Sequence, residues 1–428
     1  MSSLRIAGGR VIDPANNTDG LFDVVFDQGK IVAVEPSGKA GKNGATVVDA
    51  KGKLVLPGLV DIHTHLRQPG REDKETIASG LRAAIRGGFT SVCAMPNTDP
   101  AIDQRGVVDF IHQEGARCGL ARVRAVGAVT KGREGKELTD FGELFDAGCV
   151  ALSDDGSPVV NSLLMRRALE YATLFGRPLI QHAEEPSLVA GGVMHEGEMS
   201  TVLGLRGMPS EAESVMVARD VALAELTGGW VHFAHLSSAA SVALVRHAKA
   251  RGVRVTAEVT PHHLALTEAA VEGFNAYAKC NPPLRTEQDR LALIEGLRDG
   301  TIDCIATDHA PHTDWEKQTE FDAAPFGISG LETALSVCVE SLITSGALTW
   351  PQLVETLTVH PARIAGLEAG TLSVGALADI VLVDPDAVWT VDTARFASKG
   401  RNSPFAGKTL PATVLRVWRD GLEVSDAC

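Results

Sequence analysis

Residues 59–65 read Leu-Val-Asp-Ile-His-Thr-His, a short apolar run that ends in two histidines. Further runs of this kind follow it, and segments with helical spacing of apolar residues lie between them. The eight runs span residues 59–65, 90–97, 122–130, 149–155, 178–184, 230–237, 253–263 and 302–309. This repeated alternation of strand and helix predicts an α/β protein, a closed parallel (β/α)8 TIM barrel rather than an open doubly wound sheet.

The two ends of the chain have a different pattern. Residues 1–56 alternate short β-like runs with Gly and Asn turns, and the β pattern returns from about residue 371. We expect the two ends to form one small β-sandwich domain, built from residues 1–56 and 371–428. Residues 57–370 would then form the barrel, which is the catalytic domain.

Composition limits the possible partners. Forty basic and 54 acidic residues leave a net charge of −14, and the chain has no Lys/Arg run. This argues against a nucleic-acid or anionic-membrane surface and favours a small-molecule partner. The start of the sequence lacks the basic and apolar regions of a secretion signal, and no stretch of eighteen apolar residues occurs, so we expect a cytoplasmic protein.

Cysteine spacing excludes two common frameworks. The seven cysteines include Cys428 and form no Cys-X-X-Cys pair. Neither a disulfide scaffold nor a thiolate zinc site is indicated.

Metal-binding side chains recur where the predicted strands end. His63 and His65 are two residues apart on one strand, so their side chains project on the same side. In a barrel of this type the carboxyl ends of the strands meet on the face that carries the chemistry. The later runs place these candidates at that face: Asp154, Asp155, His182, His235 and Asp308.

Imidazole and carboxylate ligands without a thiolate suit Zn²⁺, with Mn²⁺ and Co²⁺ as substitutes. The candidates outnumber the ligands of one tetrahedral ion, which favours two ions about 3.5 to 4 Å apart, and a single ion stays open as the alternative. Metal ligation lowers the pKa of a bound water to about 7 and so provides a hydroxide nucleophile for an unreactive carbonyl.

Two planar donors lie close to these candidates. Arg67 follows His65 by two residues, and Asn97 ends the second run. Both side chains can donate to a carboxylate. The alternatives are a surface ion pair for Arg67 and a turn position for Asn97.

Six short motifs together carry a family resemblance. They are DIHTHLRQPG at 61–70, MPNT at 95–98, SDDG at 153–156, TPHHL at 260–264, NPPLR at 281–285 and TDHAPH at 307–312. In this combination the chain resembles the dihydroorotases of the amidohydrolase superfamily over nearly its whole length. The first motif alone is typical of the superfamily only.

The resemblance implies a role for each metal candidate. His63 and His65 would hold a first zinc ion with Asp308, whereas His182 and His235 would hold a second. Asp155, rather than its neighbour Asp154, would bridge the two ions. Many related cyclic amidases use a carboxylated lysine as the bridge, but residues 149–155 contain no lysine, so the chain is similar to the aspartate type.

The resemblance also implies the substrate contacts. Arg67 and Asn97 would bind the substrate carboxylate, and the remaining contacts would come from His65, Asn281, His312 and the backbone of Phe326 and Gly327. Residues 310–329, rich in Pro, Gly and Asp, are expected to form a long loop over the site. Asp308 would act as general base and then as general acid.

The activity implied is the reversible zinc-dependent interconversion of N-carbamoyl-L-aspartate and L-dihydroorotate in pyrimidine biosynthesis. One alternative is another cyclic amidase, such as a hydantoinase or allantoinase; the missing lysine and Arg67 argue against it. A second alternative is an inactive scaffold for aspartate transcarbamoylase, which the complete set of metal candidates disfavours. A homodimer, and association of the active enzyme with that transcarbamoylase, are also open.

Other polar residues of the runs are assigned no catalytic role. Adjacent side chains on a strand face opposite ways, so His262 and His263 are left out of the metal set. Glu258 is expected to be a buried, hydrogen-bonded group rather than a catalyst.

Overall fold

The computed structural model describes residues 3–38 and 45–424, so Cys428 lies outside the described residues. The strands, in chain order, are β1 (Leu4–Asp13), β2 (Thr18–Asp27), β3 (Lys30–Pro36), β4 (Thr46–Asp49), β5 (Leu54–Pro57), β6 (Leu59–Thr64), β7 (Phe89–Ala94), β8 (Arg122–Ala125), β9 (Leu152–Ser153), β10 (Leu179–Gln181), β11 (Met194–His195), β12 (Gly207–Met208), β13 (Val231–Phe233), β14 (Val255–Val259), β15 (Cys304–Ile305), β16 (Ile380–Thr390), β17 (Thr409–Arg419) and β18 (Leu422–Glu423).

The α-helices are α1 (Ile77–Arg86), α2 (Arg105–Cys118), α3 (Phe141–Asp146), α4 (Ser162–Ala172), α5 (Pro186–Val189), α6 (Glu198–Leu203), α7 (Glu211–Thr227), α8 (Ala239–Ala250), α9 (Pro261–Ala265), α10 (Glu287–Arg298), α11 (Asp314–Lys317), α12 (Ala334–Cys338), α13 (Trp350–Leu357) and α14 (Val359–Ala365). A π-helical turn, Val339–Thr344, continues α12. Short 3-10 helices cover Pro14–Asn16, Lys131–Arg133, Glu268–Phe274, Ala276–Ala278 and Thr393–Arg395.

Eight parallel strands form the centre of the molecule, and each begins inside one of the eight predicted runs or one residue before it. Strands β6, β7 and β8 form one parallel sheet, and β9, β10, β13, β14 and β15 form a second. Single parallel bridges, Gly127 to Leu152 and Thr64 to His309, join the two sheets at both edges. The predicted α/β class with parallel strands is therefore confirmed.

Helices follow most of these strands and cover their outer sides. Helix α1 illustrates how the local sequence starts such a helix: Ser79 N–H donates to the Thr76 side chain over 3.1 Å, and Thr76 N–H donates to Ser79 Oγ over 3.0 Å. Its buried face includes Ile77, Leu81 and Ile85. These positions recur at helical spacing and form one apolar face.

Both ends of the chain contribute to one further sheet, of order β18-β17-β16-β5-β1-β2-β3, with β4 paired to β1. Strand β16 pairs antiparallel with β5, and Ile380 lies opposite Pro57. Residues far apart in sequence therefore meet, as the β patterns of the two ends indicated. Side chains of this sheet, among them Ile6, Val55 and Trp418, form an apolar cluster of their own.

Within the described residues, no helix has both the length and the apolar character needed to cross a bilayer.

Candidate active site

The metal candidates converge where the parallel strands end. His63 lies in β6 and His65 follows it, while the other candidates come one to three residues after β9, β10, β13 and β15. Each is at most 6% exposed: His63, His65, Asp155, His182, His235 and Asp308. Carboxyl ends of parallel strands share one edge, which is why residues separated by up to 245 positions form one cluster.

Asp155 lies at the centre of this cluster. Its Oδ2 atom is 3.4 Å from Nε2 of both His63 and His65. Its Oδ1 atom is 3.5 Å from His235 Nε2 and 3.6 Å from His182 Nδ1. One carboxylate therefore faces two histidine pairs, each with a different oxygen.

Asp308 belongs to the first of these pairs. Its Oδ1 atom is 2.9 Å from His65 Nε2 and 3.5 Å from His63 Nε2. The backbone is left-handed at Asp308 (φ 46°), at His235 (φ 30°) and at Arg67 (φ 59°). Non-glycine residues rarely adopt this conformation, and such strain concentrates at functional sites where the surrounding structure enforces it.

Asp154 points elsewhere. Its Oδ1 atom accepts a 3.0 Å hydrogen bond from Thr130 N–H. Arg133 donates to the main-chain carbonyls of Asp154 and Asp155, the latter over 2.7 Å. The two adjacent aspartates thus face opposite ways, as alternation along a strand requires.

The cluster has the polar atoms that a divalent cation needs. His63 Nε2 and Asp155 Oδ1 are buried and lack a hydrogen-bond partner among the described residues. Unpaired buried polar atoms are costly and are a sign of a missing partner such as an ion. His63, His65 and Asp308 bring ligand atoms within 4.8 Å of one another, as do His63, Asp155 and His235. Nitrogen and oxygen donors of this kind fit zinc.

Charges inside the cluster are strongly coupled. Burial lowers the pKa of His63, but the carboxylates of Asp155 and Glu258 outweigh burial and raise it. Burial raises the pKa of Asp155, but the facing imidazoles, His63 above all, bring it well below its usual range. Neighbouring imidazoles, His65 first, also lower the pKa of Asp308 against the effect of burial, so the surroundings favour the carboxylate form of both aspartates.

Glu258 holds His63 from behind. His63 Nδ1 donates to Glu258 Oε1 over 2.5 Å, and His232 Nε2 donates to Oε2 over 3.1 Å. A carboxylate only accepts, so the His63 proton lies on Nδ1 and Nε2 is turned to the cluster. The structure agrees with the expectation that Glu258 is a buried hydrogen-bonded group.

Among the described residues, two other buried groups of His, Cys and Glu side chains have ligand atoms already engaged with protein partners. In the group of His262, His263 and Cys280, His263 uses Nδ1 for Thr260 Oγ1 and Nε2 for the Pro282 carbonyl. In the second, His232 and Glu258 bond to each other next to Cys304. Burial raises the pKa of both cysteine thiols, that of Cys280 to about 12.

A cavity of about 220 Å³ opens above the cluster. The seven residues predicted to contact substrate all line it: His65, Arg67, Asn97, Asn281, His312, Phe326 and Gly327. A larger cavity, about 430 Å³, lies against Arg86 and Trp389 and is lined by none of the predicted residues. Cavity size therefore does not identify the site, whereas the chemistry of the lining does.

Arg67 and Asn97 line this cavity together with His65. Asn97 Oδ1 is 2.8 Å from His65 Nδ1. Burial lowers the pKa of Arg67 to about 10, which still leaves the guanidinium charged at neutral pH. One of its N–H groups donates to the Pro311 carbonyl over 3.3 Å, so the guanidinium retains donors for a ligand.

His312 lines the cavity with both ring nitrogens already bonded. Its Nε2 donates to the Phe326 carbonyl over 2.8 Å, and its Nδ1 accepts from Lys74 Nζ over 3.1 Å. Lys74 also pairs with Glu316 at 2.8 Å. Sequence reasoning did not find Lys74, because a lysine just before a helix looks like an ordinary surface residue.

The segment 310–329 lies over the cavity as expected and includes the short helix α11. Gly327 has φ 139°, and a Cβ atom there would lie 2.7 Å from the Ala310 carbonyl oxygen. Only glycine fits this position. The Gly327 N–H donates to the Lys279 carbonyl over 2.9 Å. This N–H is therefore already bonded, and the predicted substrate contacts must come from the other backbone groups of Phe326 and Gly327.

Glu184 is a further residue that sequence reasoning missed. Its Oε2 atom is 2.6 Å from Asn281 Nδ2 and 3.5 Å from His182 Nε2. The signal was present, because Glu184 follows His182 by two residues and so projects on the same side of an extended chain.

Comparison with known proteins agrees with this geometry. A family described as "Dihydro-orotase-like" matches residues 52–241, and one described as "Amidohydrolase family" matches residues 292–424. A dihydroorotase of Anaeromyxobacter dehalogenans (strain 2CP-C) is 56% identical, covering 95% of this chain and 94% of its own. A dihydroorotase of Pelotomaculum thermopropionicum is 55% identical, covering 95% of each chain.

Solved structures with this fold come from related enzymes. L-Hydantoinase (dihydropyrimidinase) from Arthrobacter aurescens has a TM-score of 0.87 at 23% identity, covering 99% of this chain and 96% of its own. Dihydropyrimidinase from Brevibacillus agri NCHU1002 has a TM-score of 0.84 at 23% identity, covering 99% and 95%. At this identity the likeness establishes the fold alone.

Proposed function

The chain belongs to the dihydroorotase family of the amidohydrolase superfamily, and on that premise we propose that it interconverts L-dihydroorotate and N-carbamoyl-L-aspartate with zinc as its metal. The observation that supports this most directly is the position of Asp155. One of its oxygens faces His63 and His65 and the other faces His182 and His235, beneath a cavity lined by donors for a carboxylate.

We infer that the eight parallel strands close into one (β/α)8 barrel of residues 57–370, with residues 1–56 and 371–428 as a β-sandwich domain. The two bridges that join the parallel sheets at both edges support closure. So does a separate apolar cluster of strand side chains that includes Val60, Cys93 and Ile180, because a barrel interior is filled by side chains.

The proposed ligands of the first zinc ion are His63, His65 and Asp308. Those of the second would be His182 and His235, and Asp155 would serve as a ligand of both. Bound zinc supplies a low-pKa water and polarises the carbonyl that is attacked. Elemental analysis of the active protein measures the zinc content and so distinguishes one bound ion from two.

Asp308 has the position of a general base and acid. Its carboxylate is ionised and lies at the edge of the cavity beside His65. In the hydrolytic direction Asp308 accepts the proton of the attacking water and returns it to the leaving ring nitrogen. The reverse sequence closes the ring.

Arg67 and Asn97 explain a preference for a ring that carries a carboxylate. The buried guanidinium and the Asn97 amide offer planar donors in the lining of the cavity, and charge-assisted hydrogen bonds of this type are strong where water is excluded. Hydantoin and dihydrouracil lack that carboxylate. This favours dihydroorotate over the uncharged rings on which the named structural neighbours act.

The test is turnover of the purified, zinc-loaded protein on L-dihydroorotate, with hydantoin, dihydrouracil and allantoin under the same conditions. We expect selective turnover of dihydroorotate. Preference for an uncharged ring would contradict the roles of Arg67 and Asn97. Loss of all turnover with zinc bound would favour the scaffold alternative, in which the chain supports aspartate transcarbamoylase without catalysis.

A homodimer, an association with aspartate transcarbamoylase and a cytoplasmic location stay predictions. Size-exclusion chromatography with light scattering, alone and with the transcarbamoylase, tests the first two.

A further inference from the structure

The amide of Asn281 has a fixed direction. Its Nδ2 atom is 2.6 Å from Glu184 Oε2. A carboxylate can only accept, so the atom of the amide that faces Glu184 must be the nitrogen. The oxygen is then the free end of a side chain that lines the cavity.

The amide of Asn97, which also lines the cavity, is oriented by its oxygen instead. When His65 Nε2 binds a metal ion, the proton of the neutral ring resides on Nδ1. That proton is donated over 2.8 Å to Asn97 Oδ1. The free end of Asn97 is therefore its NH₂ group, in a cavity that Arg67 also lines.

The cavity lining thus offers both hydrogen-bond donors, from Arg67 and Asn97, and an acceptor, from Asn281. On the function proposed above, the substrate matches this polarity, because its carboxylate accepts and its ureide N–H groups donate. We propose that Glu184 is a positioning residue, which holds Asn281 so that Asn281 Oδ1 accepts a hydrogen bond from a ureide N–H of the substrate.

Two other roles for Glu184 are distinguishable from this one. Its Oε2 atom is 3.5 Å from His182 Nε2, so Glu184 could orient that metal ligand instead. The contact with Asn281 is 0.9 Å shorter (3.5 − 2.6), which favours action through Asn281. A purely structural role would lower stability without changing substrate binding.

The experiment measures kcat, KM for L-dihydroorotate and zinc content in the zinc-loaded full chain. The variants are Glu184→Ala, Asn281→Ala and their combination. We expect each single variant to raise KM on the order of 10-fold with a smaller change in kcat, as loss of a buried hydrogen bond predicts. The combination should raise KM no further than Asn281→Ala alone, because the two residues act through one contact.

Two further variants sharpen the result. Glu184→Gln keeps an oxygen that accepts from Asn281 Nδ2, so KM should return toward the wild-type value. Glu185→Ala is the matched control, because this neighbouring carboxylate accepts from Ser187 N–H at the start of α5 and lines neither the site nor its cavity. Its KM and zinc content should equal those of the wild type.

Additive effects of Glu184→Ala and Asn281→Ala would overturn the inference. Loss of zinc from Glu184→Ala with unchanged KM in the reloaded protein would overturn it as well, in favour of a role on His182. In both cases wild-type turnover of dihydroorotate would leave the proposed function standing. Absence of wild-type turnover would overturn the proposed function and this inference together.

Discussion

Replacement of Glu258 should weaken zinc binding without touching a ligand directly. The carboxylate accepts from His63 Nδ1 at 2.5 Å, from His232 Nε2 at 3.1 Å and from His235 N–H at 3.3 Å, in a position with no exposed surface. It therefore fixes which His63 nitrogen faces the metal. Partners of this kind contribute about 10- to 100-fold to metal affinity.

Alanine and glutamine at this position should behave differently. Glu258→Ala leaves the imidazole N–H of His63 and the backbone N–H of His235 buried without an acceptor, at about 1–3 kcal/mol each, so the free energy of unfolding should fall by about 2–6 kcal/mol. Glu258→Gln keeps one oxygen for His63. Its NH₂ group then faces His232, which can move its proton to Nδ1 because Thr256 Oγ1 lies 2.9 Å away. Glutamine should thus cost about 10-fold in zinc affinity and little stability.

The assay is zinc retention against graded concentrations of a competing chelator, together with denaturant unfolding of the metal-free protein. Glu272→Gln, at an exposed position, controls for the loss of one negative charge. Wild-type zinc affinity in Glu258→Ala, with an unchanged free energy of unfolding, would refute the reasoning.

Three further predictions concern catalysis, specificity and thiol reactivity. Asp308→Asn should retain zinc by elemental analysis and lower kcat by about 10²- to 10⁴-fold, the usual contribution of a general acid–base group; near-normal kcat would exclude that role. Arg67→Gln should raise KM for dihydroorotate on the order of 10- to 100-fold, because the variant loses charge-assisted hydrogen bonds to the carboxylate. Any turnover of dihydrouracil, which lacks the carboxylate, should be unchanged. An equal loss of turnover on both rings would point to misfolding. Iodoacetamide at pH 8 should label Cys118, which is partly exposed. It should not label Cys93, which is buried and whose thiol pKa is raised by burial. Mass spectrometry of the protein labelled in its native state identifies the modified cysteines.

The positions of the strands were predictable because strand formation depends on a local apolar pattern. Each predicted run contains most or all of one central parallel strand, although β9 and β15 are each only two residues long. The short lengths were not predictable, since a run such as residues 149–155 is apolar from residue 149 onward although only Leu152 and Ser153 form the strand. The parallel pair β11 and β12 has too few residues for any period to appear.

The sequence predicted which residues form the candidate site better than it predicted the hydrogen bonds between them. The six residues to which the resemblance gave a metal-ligand role and all seven substrate contacts surround one cavity or lie directly beneath it. Their roles stay predictions. Only the structure showed that the ring nitrogens of His312 and the N–H of Gly327 are already hydrogen-bonded, because each bond depends on a neighbour in another segment.

The sequence alone determined the α/β class, the order of its elements and the residue types that end each strand, since these follow from local periodicity and residue chemistry. The tertiary structure alone decided which of these residues meet. Glu258 bonds to His63 across 195 positions, and Glu184 bonds to Asn281 across 97. Such partners are set by the register of strands and the paths of loops. No local pattern contains that information, because a hydrogen bond depends on distance in space and not on distance along the chain.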